Sequence, residues 1–247
     1  STIPFQDVFN VARKSTNPEI IWQIVYKQGD ATYSSSLART NQAKGDFTNT
    51  EFKAQGSGGL FTKDLLKEFE AGDVRTTFSV KFSSVTNQYF ITKFRDSSDA
   101  AGTNGYGGND WILIRYADII LNMAEVYMLQ GDDATAITWL DMVRTRAGRP
   151  GYADMMANDA TYAARYPTLK LAILHERRVE LAFEHHRWHD LVRFFTPEEL
   201  VAYFKAKDQA DYDNSPLSNI TTKDYYFPIP LAEYNLDPTK MYQNAGY

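Results

Sequence analysis

The chain has no cysteine, which removes disulfides, thiolate zinc sites and thiol nucleophiles together. It has no basic run either. Its 26 Lys and Arg stand against 31 Asp and Glu, a formal net charge of −5, so no stripe is available to neutralise a row of phosphates and nucleic acid is not an expected partner. No uninterrupted apolar run approaches membrane-spanning length. From Ser1 to Phe5 there is no basic segment, apolar segment or lipidation cysteine, so the expectation is a chain whose signal has been removed or an internal piece of something larger. Gly-x-Ser-x-Gly and Walker patterns are missing, and the glycines at 102, 105, 107 and 108 form only a diffuse cluster. No nucleophile stands in a pattern with a base, and no cofactor is implied.

What the chain does have is aromatic side chains, at 14% of residues, with Tyr and Phe dominating. Many fall outside segments that read as regular structure. Residues 1–110 read as an irregular, loop-rich α/β segment. Phe5, Val8, Phe9 and Ala12 have helical spacing, Ile20 to Tyr26 is a β-branched and aromatic run suited to a strand, and residues 78–82 with 89–92 alternate like a hairpin. Two long polar loops, 27–59 and 96–110, carry glycines (Gly29, Gly45, Gly56, Gly58 and Gly59 in the first) and rings. Tyr33, Phe47 and Phe52 in the first, and Asn104, Tyr106 and Trp111 at the second, are the candidate ligand-binding residues. Flat rings can stack on apolar sugar faces while amides and charged groups take the hydroxyls. The plainer reading of each ring is a loop anchor on the core.

Residues 111–195 read as a helical scaffold. Asp110 is placed as N-cap of a helix from Trp111 to Gln130, Gly131 as its C′ residue, and Asp132 or Asp133 as the next cap, giving a helical hairpin over 111–148. Ala124, Tyr127, Ala136 and Leu140 follow the small, aromatic, small, large spacing of one tetratricopeptide unit, with no second copy. Such units need stacked neighbours, so partners are expected elsewhere. A long helix is expected over 168–195, stopped by Pro197. Residues 196–247 read as an extended tail that docks on the scaffold. The fold class is therefore mainly α with irregular loops and short β-strands.

Stepping 100° per residue puts Glu176, Glu180 and Arg187 on the otherwise apolar face of the long helix, while Arg115, Asp118, Asn122 and Glu125 line one face of the first hairpin helix. Charges on apolar faces are costly unless paired, so the two stripes are expected to meet in a buried ionic network. The sharper alternative for Glu176 and Glu180 is an acid and base pair one helical turn apart, but nearby arginines would hold both ionised. His185 and His189, four residues apart, have a spacing that can serve a metal; without cysteine or a His-Glu-x-x-His pattern they read as a solvated helix face.

The run Glu176-Arg177-Arg178-Val179-Glu180-Leu181-Ala182-Phe183-Glu184, followed by Arg187-Trp188-His189-Asp190-Leu191, resembles the motif of the SusD/RagB proteins. Ile114-Arg115-Tyr116-Ala117-Asp118, Val143-Arg144-Thr145-Arg146-Ala147-Gly148, and the tail from Pro228-Ile229-Pro230 to Gln243-Asn244-Ala245-Gly246-Tyr247 are similar in order and spacing. His185, His189 and Ala245 depart from the family's usual glycine, aromatic and proline. The resemblance implies the C-terminal half of a cell-surface outer-membrane lipoprotein that binds glycans, or peptides in RagB-like members, without catalysis. It further implies delivery to a SusC-like TonB-dependent transporter, with the N-terminal half of the same protein supplying the other tetratricopeptide units. A general tetratricopeptide interaction scaffold is the alternative class. The matched motifs belong to the scaffold and do not name the ligand.

Overall fold

The computed structural model describes residues 3–53, 58–59, 61–212 and 217–247; Ser1, Thr2 and Gly56 of the sequence reading lie outside them. The described residues form two compact units, one of residues 1–61 and 65–187 and one of residues 62–64 and 188–247.

In the first unit the β-branched run forms strand β1 (Ile20–Ile24), and residues 80–91 form a hairpin of β2 (Val80–Ser83) and β3 (Gln88–Ile91). Its register pairs Val80 with Ile91 and Phe82 with Tyr89. β1 pairs antiparallel with β4 (Trp111–Arg115), setting Ile20 opposite Arg115 and Ile24 opposite Trp111. Phe5, Phe9, Phe94 and Ile112 cluster beside this ribbon.

β4 corrects one expectation. The helix placed over 111–130 starts only at Tyr116, because Trp-Ile-Leu-Ile-Arg is a better strand than first helical turn and β1 is available to pair with it. Asp110 is accordingly no N-cap. Its carboxylate accepts from Lys14 Nζ at 2.7 Å and the Tyr26 amide at 2.8 Å. The loop over 96–110 likewise holds a short helix, Asp99–Asn104, which Ser98 caps and Gly105 ends at φ 71°.

Helix α1 (Val74–Ser79) leads into the β2–β3 hairpin, and α2 (Tyr116–Leu129) and α3 (Asp133–Arg146) form the helical hairpin. Gly131 at φ 79° turns the chain, and Asp132 caps α3 by accepting from the Thr135 amide at 3.1 Å. Ala117, Leu121, Ala124, Ala136 and Leu140 are fully buried, and α4 (Leu169–Glu180) packs on both helices of the hairpin.

The long helix expected over 168–195 is broken. α4 ends at Glu180, and α5 (Arg187–Phe194) begins after a turn in which Phe183 and His185 adopt φ of 68° and 65°. The cause is competition for carbonyls. The Glu180 carbonyl accepts from Arg115 Nη2 at 2.8 Å and the Ala182 carbonyl from Lys93 Nζ at 2.8 Å, where a continuous helix would offer both to amides one turn on.

In the second unit α5 is followed by α6 (Pro197–Lys205), whose capping box joins Thr196 and Glu199 reciprocally. The tail has little regular structure and is held by side chains. Tyr225 donates to the Val192 and Phe195 carbonyls, and Trp188 lies 5.8 Å from Phe227 between ring centroids. The Gln243 amide brackets Ile229, accepting from its N–H at 2.8 Å and donating to its carbonyl at 2.9 Å. Pro228 and Pro230 have no backbone N–H, so Gln243 accepts from the one N–H donor of that tripeptide.

Candidate functional site

Two arrangements draw on the candidate residues: a buried charge network and a pair of stitched loops. The network is centred on α4. Arg75, from α1, donates Nη1 to Glu176 at 2.6 Å and to Glu180 at 3.0 Å, while its Nε and Nη2 engage Asp73. Arg115, at the end of β4, reaches Glu180 Oε1 at 2.6 Å, Glu19 at 2.8 Å and Glu184 at 2.7 Å through Nε. Arg146 joins Glu19 at 2.6 Å and also donates to Glu180. Arg144 bridges Glu70 at 2.9 Å and Glu176 at 3.0 Å, and Lys93 meets Glu184 at 2.5 Å.

Glu176, Glu180 and Arg75 have no solvent exposure. Burial alone would raise the Glu180 carboxyl; the guanidinium groups of Arg146, Arg115 and Arg75 override it and hold the group well below the usual carboxylate range. Glu184 is also lowered, by Arg115 and Lys93 against the same burial. A carboxylate so clamped is a poor proton donor at neutral pH, which leaves Glu180 a brace and not half of an acid and base pair.

Of the two polar stripes, Arg115, Glu176 and Glu180 come together. Asp118 and Asn122 instead meet Arg177, at 2.8 Å each, because α4 turns its Arg177 side toward α2. Arg187 donates to the Leu174 carbonyl at 2.9 Å, and Glu125 is half-buried on α2. Arg75, Asp73, Lys93, Glu19, Glu70, Arg144, Arg146 and Glu184 join the network from outside the two stripes. Val-Arg-Thr-Arg at 143–146 was a visible signal for Arg146. Arg75 offers none in sequence.

His175 is fully enclosed, with Nδ1 3.2 Å from Glu68, Nε2 3.2 Å from Glu70, and its ring stacked on Tyr166 at 4.1 Å. Burial would lower its pKa; the two carboxylates outweigh that and raise it. Glu70, His175 and Glu176 place potential ligand atoms within 4.8 Å of one another, but Arg144 already bridges the two carboxylates, so a divalent cation would have to displace a guanidinium. His185 and His189 do not share a helix, since the chain breaks at 181–186, and His185 packs on Trp111 with ring centroids 4.9 Å apart.

The two loops are stitched to each other. Ser35 and Gly107 exchange main-chain bonds at 2.8 and 3.0 Å, and the Gly29 amide donates to the Tyr106 carbonyl at 3.0 Å. Tyr33, 67% exposed, and Tyr106 therefore sit on neighbouring strands of loop, with Asn104 exposed nearby in sequence. Phe52 is half-buried under the Arg39 guanidinium at 5.8 Å. Phe47 is exposed on the stretch that Lys81 ties down through Asp46 and Thr48 at 2.6 and 2.7 Å. Trp111 is committed inward, 6.2 Å from Phe94. Phe82 and Tyr89, an exposed edge-to-face pair at 5.1 Å on the hairpin, were not among the sequence candidates.

Residues 74–247 match the sequence profile of the SusD family. The chain belongs to the SusD family. A SusD-like protein, P2, of Formosa agariphila is 24% identical over 98% of this chain and 51% of its own length, and SusD-like protein P38 of the same organism is 29% identical over 55% and 24%. Among solved structures, surface glycan-binding protein A from Bacteroides uniformis superposes with a TM-score of 0.68 at 23% identity, over 98% of this chain and 52% of that one. The counterpart from Bacteroides thetaiotaomicron in complex with laminarihexaose gives 0.67 at 18% identity, over 98% and 55%. This SusD-family chain thus spans about half the length of these relatives, and at such identities the structural likeness speaks for the fold.

Proposed function

We propose that this chain is part of a non-catalytic surface protein that binds glycans and hands them to a SusC-like TonB-dependent transporter in the outer membrane, where a lipid on the full-length protein anchors it. One observation carries the reading: a SusD-fold relative that covers 98% of this chain at a TM-score of 0.67 is a surface glycan-binding protein in complex with laminarihexaose. The loop chemistry supports it. Tyr33, Tyr106 and Asn104 on the stitched loops, with Phe47 and Phe52, offer ring faces and an amide of the kind sugars need.

Tyr116, Ile119, Met123 and Val126 recur along one edge of α2 and, apart from half-buried Met123, are exposed. A preceding half of the same protein, bearing further tetratricopeptide units, packs there in the full-length molecule.

Calorimetric titration of the full-length protein with laminari- and other oligosaccharides tests the binding role. Saturable binding is expected, weakened at least about 10-fold by Tyr33→Ala with Tyr106→Ala, the loss of a sugar-stacking contact or two. Absence of glycan binding, with no transporter recovered on purification from native membranes, would overturn it.

A further inference from the structure

A cavity of about 460 Å³ opens in the first unit, bordered by Gln28 and residues 96–98 of the two stitched loops, within the roughly 300–1,000 Å³ typical of small-ligand sites. Phe9 and Phe78 supply its apolar wall, and Asp7, Arg95, Asp96 and Ser97 are among its polar lining residues. Its charged groups differ in how fully their hydrogen bonds are met. Asp96 is buried and saturated: it accepts from Gly108 N at 2.6 Å, Ser98 N at 3.0 Å and Gln28 Nε2 at 3.1 and 3.0 Å. Asp7 is paired with Arg13 at 2.9 Å.

Arg95 has no carboxylate partner among the described residues. Its Nε donates to the Thr92 carbonyl at 2.8 Å, its Nη2 to the Phe78 carbonyl at 2.9 Å, and its guanidinium carbon lies 4.6 Å over the Phe78 ring centroid. These contacts fix the plane of the group and leave its charge unanswered; Nη1 makes no hydrogen bond to a described residue. Burial pushes the guanidinium pKa down, and no carboxylate among the described residues offsets it. A half-buried, oriented cation without an anion is poised for an anion from outside, and a guanidinium with its Nη1/Nη2 edge open suits a planar carboxylate best.

We propose that this cavity is a subsite for an acidic sugar, the carboxylate of a uronic acid seated on the open edge of Arg95 and its ring against the Phe9 and Phe78 wall. The proposal rests on the glycan-binding reading above and narrows it to a substrate class.

The test is calorimetry on the full-length protein with two oligosaccharides of equal length, one ending in glucuronate and one in glucose. The acidic one is expected to bind about 10-fold more tightly, as a charge-assisted bidentate contact warrants, and Arg95→Gln is expected to remove that preference. Because Arg95 also ties down two carbonyls, Ser97→Trp serves as a second variant. Ser97 is exposed at the cavity and has no hydrogen bond to a described residue, so the indole fills the space without removing a contact; the preference is expected to vanish there too. Equal affinities for the two sugars, or a preference that survives in both variants, would overturn the subsite while leaving glycan binding standing. Binding of neither sugar would overturn both.

Discussion

Arg115 holds Glu180 twice: its Nη1 meets the carboxylate at 2.6 Å, and its Nη2 takes the main-chain carbonyl of the same residue at 2.8 Å. The side-chain contact neutralises a buried charge, and the main-chain contact stops a helix. One arginine therefore couples the electrostatics of α4 to the place where α4 ends.

Glu180→Gln keeps the shape of the side chain but leaves Arg75, Arg115 and Arg146 short of one negative charge in a dry environment. Breaking a buried pair from one side costs about 3–5 kcal/mol. Urea unfolding should show a loss of that size in the first unit. A loss under about 1 kcal/mol would mean that the network is idle.

The pH dependence has two limbs of opposite sign. Glu180 and Glu184 are depressed in the fold, so their contribution is present above the unfolded value near 4.5 and lost as pH falls through the folded one. His175 is raised above 6.5, so its contribution is complete below that value and lost as pH rises through the folded pKa. His175→Gln should therefore cost most at pH 5.5 and progressively less on the alkaline side. A stability difference that is flat, or that grows with pH, would refute the charged form of His175.

His185 occupies the left-handed region at φ 65° and packs on Trp111. Ala at 185 loses the ring contact and keeps the strain, whereas Gly loses both. His185→Gly should thus be more stable than His185→Ala by about 1 kcal/mol, the usual cost of a side chain in that conformation. The thermal midpoints of the two variants give the order directly.

Gln243→Ala removes both bonds to Ile229, worth about 1–2 kcal/mol together. Hydrogen exchange at the Ile229 amide should accelerate in this variant, while amides in α4 keep their protection.

Periodicity was informative where a helix packs by one apolar stripe: the hairpin of α2 and α3, with its Gly131 turn and Asp132 cap, is legible in sequence, as are β1 and the β2–β3 hairpin. It failed where tertiary partners outbid local pattern. The 168–195 stretch has no Gly or Pro to mark its break, because the break is made by Arg115 and Lys93 arriving from elsewhere. The one local hint was indirect: His185 stands at a position where the SusD/RagB motif usually has glycine, and that position is indeed left-handed. Trp111 to Arg115 reads as helix for a similar reason, since it runs without Gly or Pro into the pattern of α2 and is set apart from that helix by its pairing with β1. For the loops, spacing identifies rings but not their direction, so Trp111, turned inward on Phe94, and Tyr33, facing solvent, look alike in sequence.

The charge network also imposes an order on synthesis. Glu19 leaves the ribosome long before Arg115 and Arg146; Lys93 must wait for Glu184, and Arg75 and Arg115, although Asp73 and Glu19 precede them, lack their remaining carboxylates until residues 176–184 emerge. Each is too costly to bury alone. The network can therefore be completed only once the turn after α4 has left the ribosome, however early its first pairs form.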